Sequence, residues 1–196
     1  MLKSALLTAV EDHRENVVQH RRHLHLHPEP SFQESKTSAY VADALRSMGI
    51  AFSDGWCADH GAAGLVAKVE GLDPGTRTMA LRADMDALPI QEVDRPHASA
   101  VPGWMHACGH DVHITSLVGT ARRMAAIKDQ WSGRLMLIGQ PAEERVIGAK
   151  AMMKDNLWSR FGKPDYALAF HVWCGGEAGK LAVSDASPYA GADAVD

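Results

Sequence analysis

The segment Met105-His106-Ala107-Cys108-Gly109-His110-Asp111-Val112-His113 concentrates side chains that hold metal ions. One thiol, three imidazoles and a carboxylate fall between residues 106 and 113. Thiolate and imidazole are the preferred ligands of zinc-like ions. Cys108 and His110 are separated by one glycine, and a turn there can aim both at a single ion. The competing reading is a cysteine near a helix start with histidines on the surface.

Three further groups offer the same kind of chemistry. Gln140-Pro141-Ala142-Glu143-Glu144 follows an apolar run, and adjacent carboxylates can divide the work, one binding metal while the other takes a proton from water. Two solvated glutamates at a helix start would look the same. Asp84-Met85-Asp86 also follows an apolar run. Its carboxylates could bind metal or orient a metal-bound imidazole, or they are turn formers before Pro89. His171 stands near the end of an apolar run, as a ligand or as a satisfied core histidine. The set His23-Leu24-His25-Leu26-His27 sits at a helix end, where residues i and i+2 do not face together. These histidines suit the C-terminal end of the helix dipole and are read mostly as structural. There is no G-x-S-x-G elbow and no phosphate-cradling glycine loop.

The elements that must position these groups follow from the apolar pattern. Helices are expected over 4–26, ended by Pro28 and Pro30, and over 33–48, stopped by Gly49. Strands are expected at 64–70, 78–83, 134–138 and 166–172, with another at 180–183. Helices are expected at 112–127 and 146–157, and 88–107 reads as a long polar loop, a type of segment that is often functional. Strands alternating with helices predict an α/β layer fold with a largely parallel or mixed sheet. In such sheets ligands collect at the carboxyl ends of the strands, which is where Asp86, Glu143, Glu144 and His171 fall.

Composition sets the outer limits. The 196 residues are 46% hydrophobic and 22% charged, which excludes a disordered chain. A net charge of −4 gives no basic face for nucleic acid, and no apolar run is long enough to span a bilayer. The N-terminal apolar run is too short for a signal peptide, so the expected compartment is the cytoplasm. Three cysteines (Cys57, Cys108 and Cys174) do not read as a disulfide framework.

Five segments occur in an order that resembles the M20 metallopeptidases, in the branch of hippurate hydrolase, N-acyl-amino-acid amidohydrolases and plant auxin-conjugate hydrolases. They are Arg-Arg-His-Leu-His-Leu-His-Pro-Glu (21–29), Leu-Arg-Ala-Asp-Met-Asp-Ala-Leu-Pro-Ile (81–90), Met-His-Ala-Cys-Gly-His-Asp (105–111), Gln-Pro-Ala-Glu-Glu (140–144) and Phe-His-Val-Trp (170–173). The resemblance implies a zinc-exopeptidase-like catalytic domain with an inserted lid domain that mediates dimers, and two divalent metal ions, drawn from Zn, Mn, Ni or Co. It implies Cys108, His110, Glu144 and His171 as metal ligands, Glu143 as general base, and Asp86 as the carboxylate that orients a ligand. Asp84 stands where more distant members place a metal-binding histidine and is not assigned as a ligand. The substrate implied is a small N-acyl amino acid, with no nucleic-acid or membrane partner and a homodimeric or tetrameric parent.

Two departures stand out. The Glu-Glu pair is usually followed by a glycine-rich turn, and here Arg145-Val146-Ile147-Gly148 follows. Family members are much longer, and their last ligand is a distant histidine, whereas no histidine follows His171. The expectation is therefore a catalytic domain over 1–185, with 186–196 starting a lid domain, as the N-terminal portion of such an enzyme. Rival readings are a dipeptidase or deacetylase of the same superfamily, a non-catalytic metal-binding module, and a barrel amidohydrolase using His23 and His25.

Overall fold

The computed structural model describes residues 13–61, 63–75 and 77–183. Its centre is a five-stranded mixed sheet in the order β1-β2-β4-β3-β5. The strands are β1 (Phe52–Trp56), β2 (Gly64–Glu70), β3 (Thr78–Asp84), β4 (Arg134–Gln140) and β5 (Tyr166–Ala169). β3 lies between β4 and β5 and is parallel to both, whereas β2 runs antiparallel to β1 and β4. Helices α1 (Arg14–Leu26), α2 (Ser35–Ser47), α3 (His110–Ala126), α4 (Gly148–Lys154) and α5 (Leu157–Phe161) complete the described elements.

The sheet is buried on both faces because its strands alternate between two cores. In β4, Leu135 and Leu137 join Leu24, Val41, Leu45, Ile114 and Val118 under α1, α2 and α3. Met136 and Ile138 face the other way, against Trp56, Met152 and Leu157 under α4 and α5. The long helix α3 buries Ile114, Leu117, Val118 and Ala121, a helical spacing that presents one stripe to the sheet. Helix α2 ends as its glycine requires: Gly49 has φ +69, with Gly49 N–H to Arg46 C=O at 3.0 Å and Ile50 N–H to Leu45 C=O at 3.0 Å. That bond pair is a Schellman closure, and Leu45 and Ile50 share the core behind it.

The sequence pattern and the structure differ in particular places. The first helix is described only from Arg14, and residues 4–12 of the expected 4–26 helix lie outside the described residues, as does the proposed lid start at 186–196. β1 was not expected, because Asp54-Gly55 reads as a turn; it is an edge strand whose register shifts between Ser53 and Trp56, with Gly55 at φ +73. The expected 146–157 helix is two short helices, broken at Asn156 with φ +64, a conformation that asparagine tolerates. The expected 166–172 strand stops at Ala169, where the ladder with β3 ends at Arg82. Residues 180–183 form no strand; they follow a turn closed by Lys180 N–H on Glu177 C=O. The 88–107 segment is a loop, clipped by a bridge between Leu88 and Met105.

Candidate metal centre

The three parallel strands end on one side of the sheet, and the chemistry-bearing residues follow them. Asp84 closes β3 and Asp86 lies two residues on; Glu143 and Glu144 follow β4; His171 follows β5. The fourth contribution comes from the N-terminus of α3. Gly109 has φ +85, which turns the chain so that Cys108 and His110 meet the strand ends.

His110 is the centre of the cluster and is fully buried. Its Nδ1 donates to the Asp86 carbonyl at 2.8 Å and lies 3.2 Å from Asp86 Oδ1. That occupies Nδ1 and leaves Nε2 directed into the cluster. Nε2 lies 3.6 Å from Glu143 Oε2, 3.6 Å from Glu144 Oε1 and 3.6 Å from Asp84 Oδ2. Cys108 Sγ stands 3.4 Å from His171 Nε2. Ligand atoms of Cys108, His110 and His171 fall within 4.8 Å of one another, and so do those of His110, Glu143 and Glu144.

Two observations bear on whether these residues fit a metal. Buried His110 Nε2 and Glu144 Oε1 have no hydrogen-bond partner among the described residues, and both point into the cluster. Unpaired buried polar atoms are costly, so a pair converging on one point calls for a cation. The electrostatics agree. Burial opposes a charge on His110, but Asp86, the Cys108 sulfur and Asp84 overcome it and raise the imidazole to about 11. Burial and the charges of Glu143 and Asp86 push Glu144 above the usual carboxylate range. A place that pulls a proton onto a buried imidazole is a place that favours a cation, and thiol, imidazole and carboxylate together suit a divalent transition ion.

Asp86 ties the pieces together. Besides His110 it accepts the Ser31 hydroxyl at 2.7 Å and the Glu144 N–H at 3.0 Å. Burial alone would raise its carboxyl, but the bonds from His110, Ser31 and Glu144 outweigh it and hold the group low. Asp84 is likewise pulled down to about 2, against burial, by the His113 bond and the charges of His110 and Arg82.

The sequence profile of the family described as Peptidase family M20/M25/M40 matches residues 80–186, more than half of the chain. The chain belongs to this family. Among M20 relatives, the N-acyl-L-amino acid amidohydrolase of Geobacillus stearothermophilus is 38% identical over 186 residues, covering 93% of this chain and 48% of the relative. Thermostable carboxypeptidase 1 of Saccharolobus solfataricus is 42% identical over 159 residues, covering 80% of this chain and 39% of the relative. The crystal structure of Bacillus subtilis YXEP, described as a dinuclear metal binding peptidase from the M20 family, matches with a TM-score of 0.74 and 35% identity, over 82% of this chain and 43% of that one. The chain thus spans less than half the length of these M20 relatives.

Several residues around the M20 site had no signal in the sequence. Glu34 is fully buried, and its Oε1 accepts the Ala142 N–H at 2.7 Å, holding the turn before Glu143 from 108 residues away. His25, read as structural, is buried between two acids. Its Nδ1 lies 2.8 Å from Asp111 and its Nε2 lies 3.1 Å from Glu92, while Arg21 also reaches Asp111 at 2.9 Å. The Asp111 bond raises the His25 imidazole above its ordinary range although burial opposes it. This network anchors the 88–107 loop and the turn carrying Cys108 and His110 to α1. His23 and His27 stay outside it: His23 stacks on Tyr40 with ring centres 4.0 Å apart. Alternation along His23–His27 could have singled out His25, but its acid partners are remote in the chain.

Proposed function

We propose that Cys108, His110, Glu144 and His171 hold two divalent metal ions, that Glu143 is the general base, and that Asp86 orients His110 and Glu144. The observation that carries this reading is the convergence of the unpaired His110 Nε2 and Glu144 Oε1 beside Cys108, His171 and Glu143 at the ends of parallel strands. The reaction is hydrolysis of the amide bond of an N-acyl amino acid, supported by 38% identity to an N-acyl-L-amino acid amidohydrolase. It belongs to the full-length enzyme of which this chain supplies the strand-end residues. The substrate is a small molecule, and the proposed setting is the cytoplasm.

Bound ions would lower the pKa of water and polarise the amide carbonyl. The protein supplies the proton path. Glu143 keeps its side chain 36% exposed, so it can reach both a water and the substrate nitrogen. It accepts the proton as water attacks and gives it to the departing amine. Glu144 is more enclosed, at 21%, and is held through its backbone N–H by Asp86, which suits a fixed ligand. The neighbouring carboxylates therefore divide into a more exposed base and a more enclosed ligand.

A second reading, cleavage of a peptide bond as a dipeptidase would perform it, draws on 42% identity to a relative named as a carboxypeptidase. Hydrolysis of N-acetyl and N-benzoyl amino acids measured beside dipeptides separates the two. The key variant is Glu143→Gln. It is expected to keep metal binding and to lower hydrolysis by about 10²–10⁴-fold. Unchanged hydrolysis in Glu143→Gln would overturn the assignment of the base.

A further inference from the structure

Beyond the ligand set lies a chain of hydrogen bonds that ends on His171. We infer that His113 is a positioning residue that holds His171 in place for the metal centre, acting through the backbone of Val172; this rests on the proposed role of His171 as a ligand.

His113 follows His110 by three residues on α3, so the two side chains share a face of the first turn. Its ring is buried, and both nitrogens are used. The Val172 N–H reaches Nε2 at 3.0 Å, and Nδ1 lies 2.6 Å from Asp84 Oδ1. A backbone N–H can only donate, so Nε2 carries the lone pair and Nδ1 carries the proton, which it donates to Asp84. Asp84 is itself fixed, because its other oxygen accepts Arg82 at 2.7 Å, and Arg82 Nε donates to Gln140 at 2.9 Å. His113 thus stays out of the ligand set although its ring falls within 4.8 Å of Asp84 and His110.

The other backbone polar group of Val172 meets the ligand. The Val172 carbonyl accepts His171 Nδ1 at 2.7 Å, which leaves His171 Nε2 as the lone pair facing Cys108 Sγ at 3.4 Å. The two peptides that flank the Val172 Cα are therefore linked, one to His113 through the Val172 N–H and the other to His171 through the Val172 carbonyl. The need for this is clear from the strand. The β5 ladder stops at Ala169, and His171 is exposed, so strand pairing does not fix it. Packing adds a second constraint. A Cβ on Gly109 would lie 2.3 Å from Val172 Cγ2, so Val172 fits against the Cys108–His110 turn only because residue 109 is glycine. Hydrogen-bond partners behind metal-binding imidazoles set ring orientation and typically contribute about 10–100-fold in metal affinity.

The test is Co(II) affinity and the cobalt absorption spectrum, read on four variants of the chain. His113→Asn places an amide N–H where Nδ1 was and does not reach Val172; affinity is expected to fall by about 10–100-fold. His113→Gln places an oxygen where Nε2 was and can still accept the Val172 N–H; it is expected to keep most of the affinity. In a His171→Ala background, His113→Asn should cost nothing further, because the interaction it serves is already gone. Equal losses from His113→Asn in both backgrounds, no loss in either, or a His113→Gln chain that binds as poorly as His113→Asn or does not fold would overturn the inference. If His171→Ala alone leaves affinity and spectrum unchanged, the ligand assignment falls, and the role of His113 falls with it.

Discussion

Glu34 shows how a single buried acid can control the site from outside it. It is fully buried, one oxygen holds the Ala142 N–H, and burial is the main force raising its carboxyl to about 7. The folded chain therefore binds a proton more tightly than the unfolded chain, whose carboxyl titrates near the ordinary 4.5. This contribution to stability is fully present below about pH 4.5 and is lost as pH rises through about 7. Glu34→Gln keeps an oxygen for Ala142 and cannot ionise. Its stability measured against the parent by urea unfolding is expected to gain on the order of 3 kcal/mol between pH 4.5 and 8. A pH-independent difference would show that Glu34 is not buried as a neutral acid. Nothing near Glu34 in the chain announces this role, because its partner is 108 residues away. Asp86, Cys108, His110, Glu143 and Glu144 were legible because each sits in a short cluster of chemically suited neighbours. His113 was legible as part of such a cluster, but its task depends on Val172, which only the fold brings near.

At the scale of elements, the turn after β4 holds two non-glycine residues in the left-handed region. Ala142 has φ +51 and Val146 has φ +59, both left-handed, and Val146 is a half-exposed β-branched residue. A Cβ on Gly148 would lie 1.6 Å from the Pro141 carbonyl, so the turn closes tightly around its glycine. The absence of the usual glycines after Glu143-Glu144 is thus met by Val146, a non-glycine residue in a glycine conformation. Val146→Asn is expected to stabilise the chain by about 1 kcal/mol in thermal unfolding, since asparagine tolerates that conformation and valine does not. A loss of stability would mean that the Val146 side chain contributes packing that outweighs its backbone cost. The element pattern was most legible where apolar periodicity was long and regular, as in β2, β4 and α3. It failed where local chemistry pointed away from the tertiary result: at β1, whose Asp-Gly reads as a turn, and at Asn156, whose backbone breaks an otherwise helical run.

For the whole molecule, what matters is that the ligand candidates come from separate elements. Cys108 and His110 come from the start of α3, Glu144 from beyond β4, and His171 from beyond β5. Ions held by them would tie together parts of the chain that the sheet aligns. Parallel neighbours β4, β3 and β5 make this possible, because their carboxyl ends finish on one side. The pattern of alternating strands and helices made that side legible in advance. Among the described residues no helix is long and apolar enough to cross a membrane. The most direct test of the central claim is Co(II) binding to the chain beside its Cys108→Ser variant, followed by absorption and equilibrium dialysis. The account predicts bound cobalt with a sulfur-to-cobalt charge-transfer band in the parent, and loss of that band with weakened binding in Cys108→Ser. Cobalt bound equally well by both, with the same spectrum, or no cobalt bound by the parent, would contradict it.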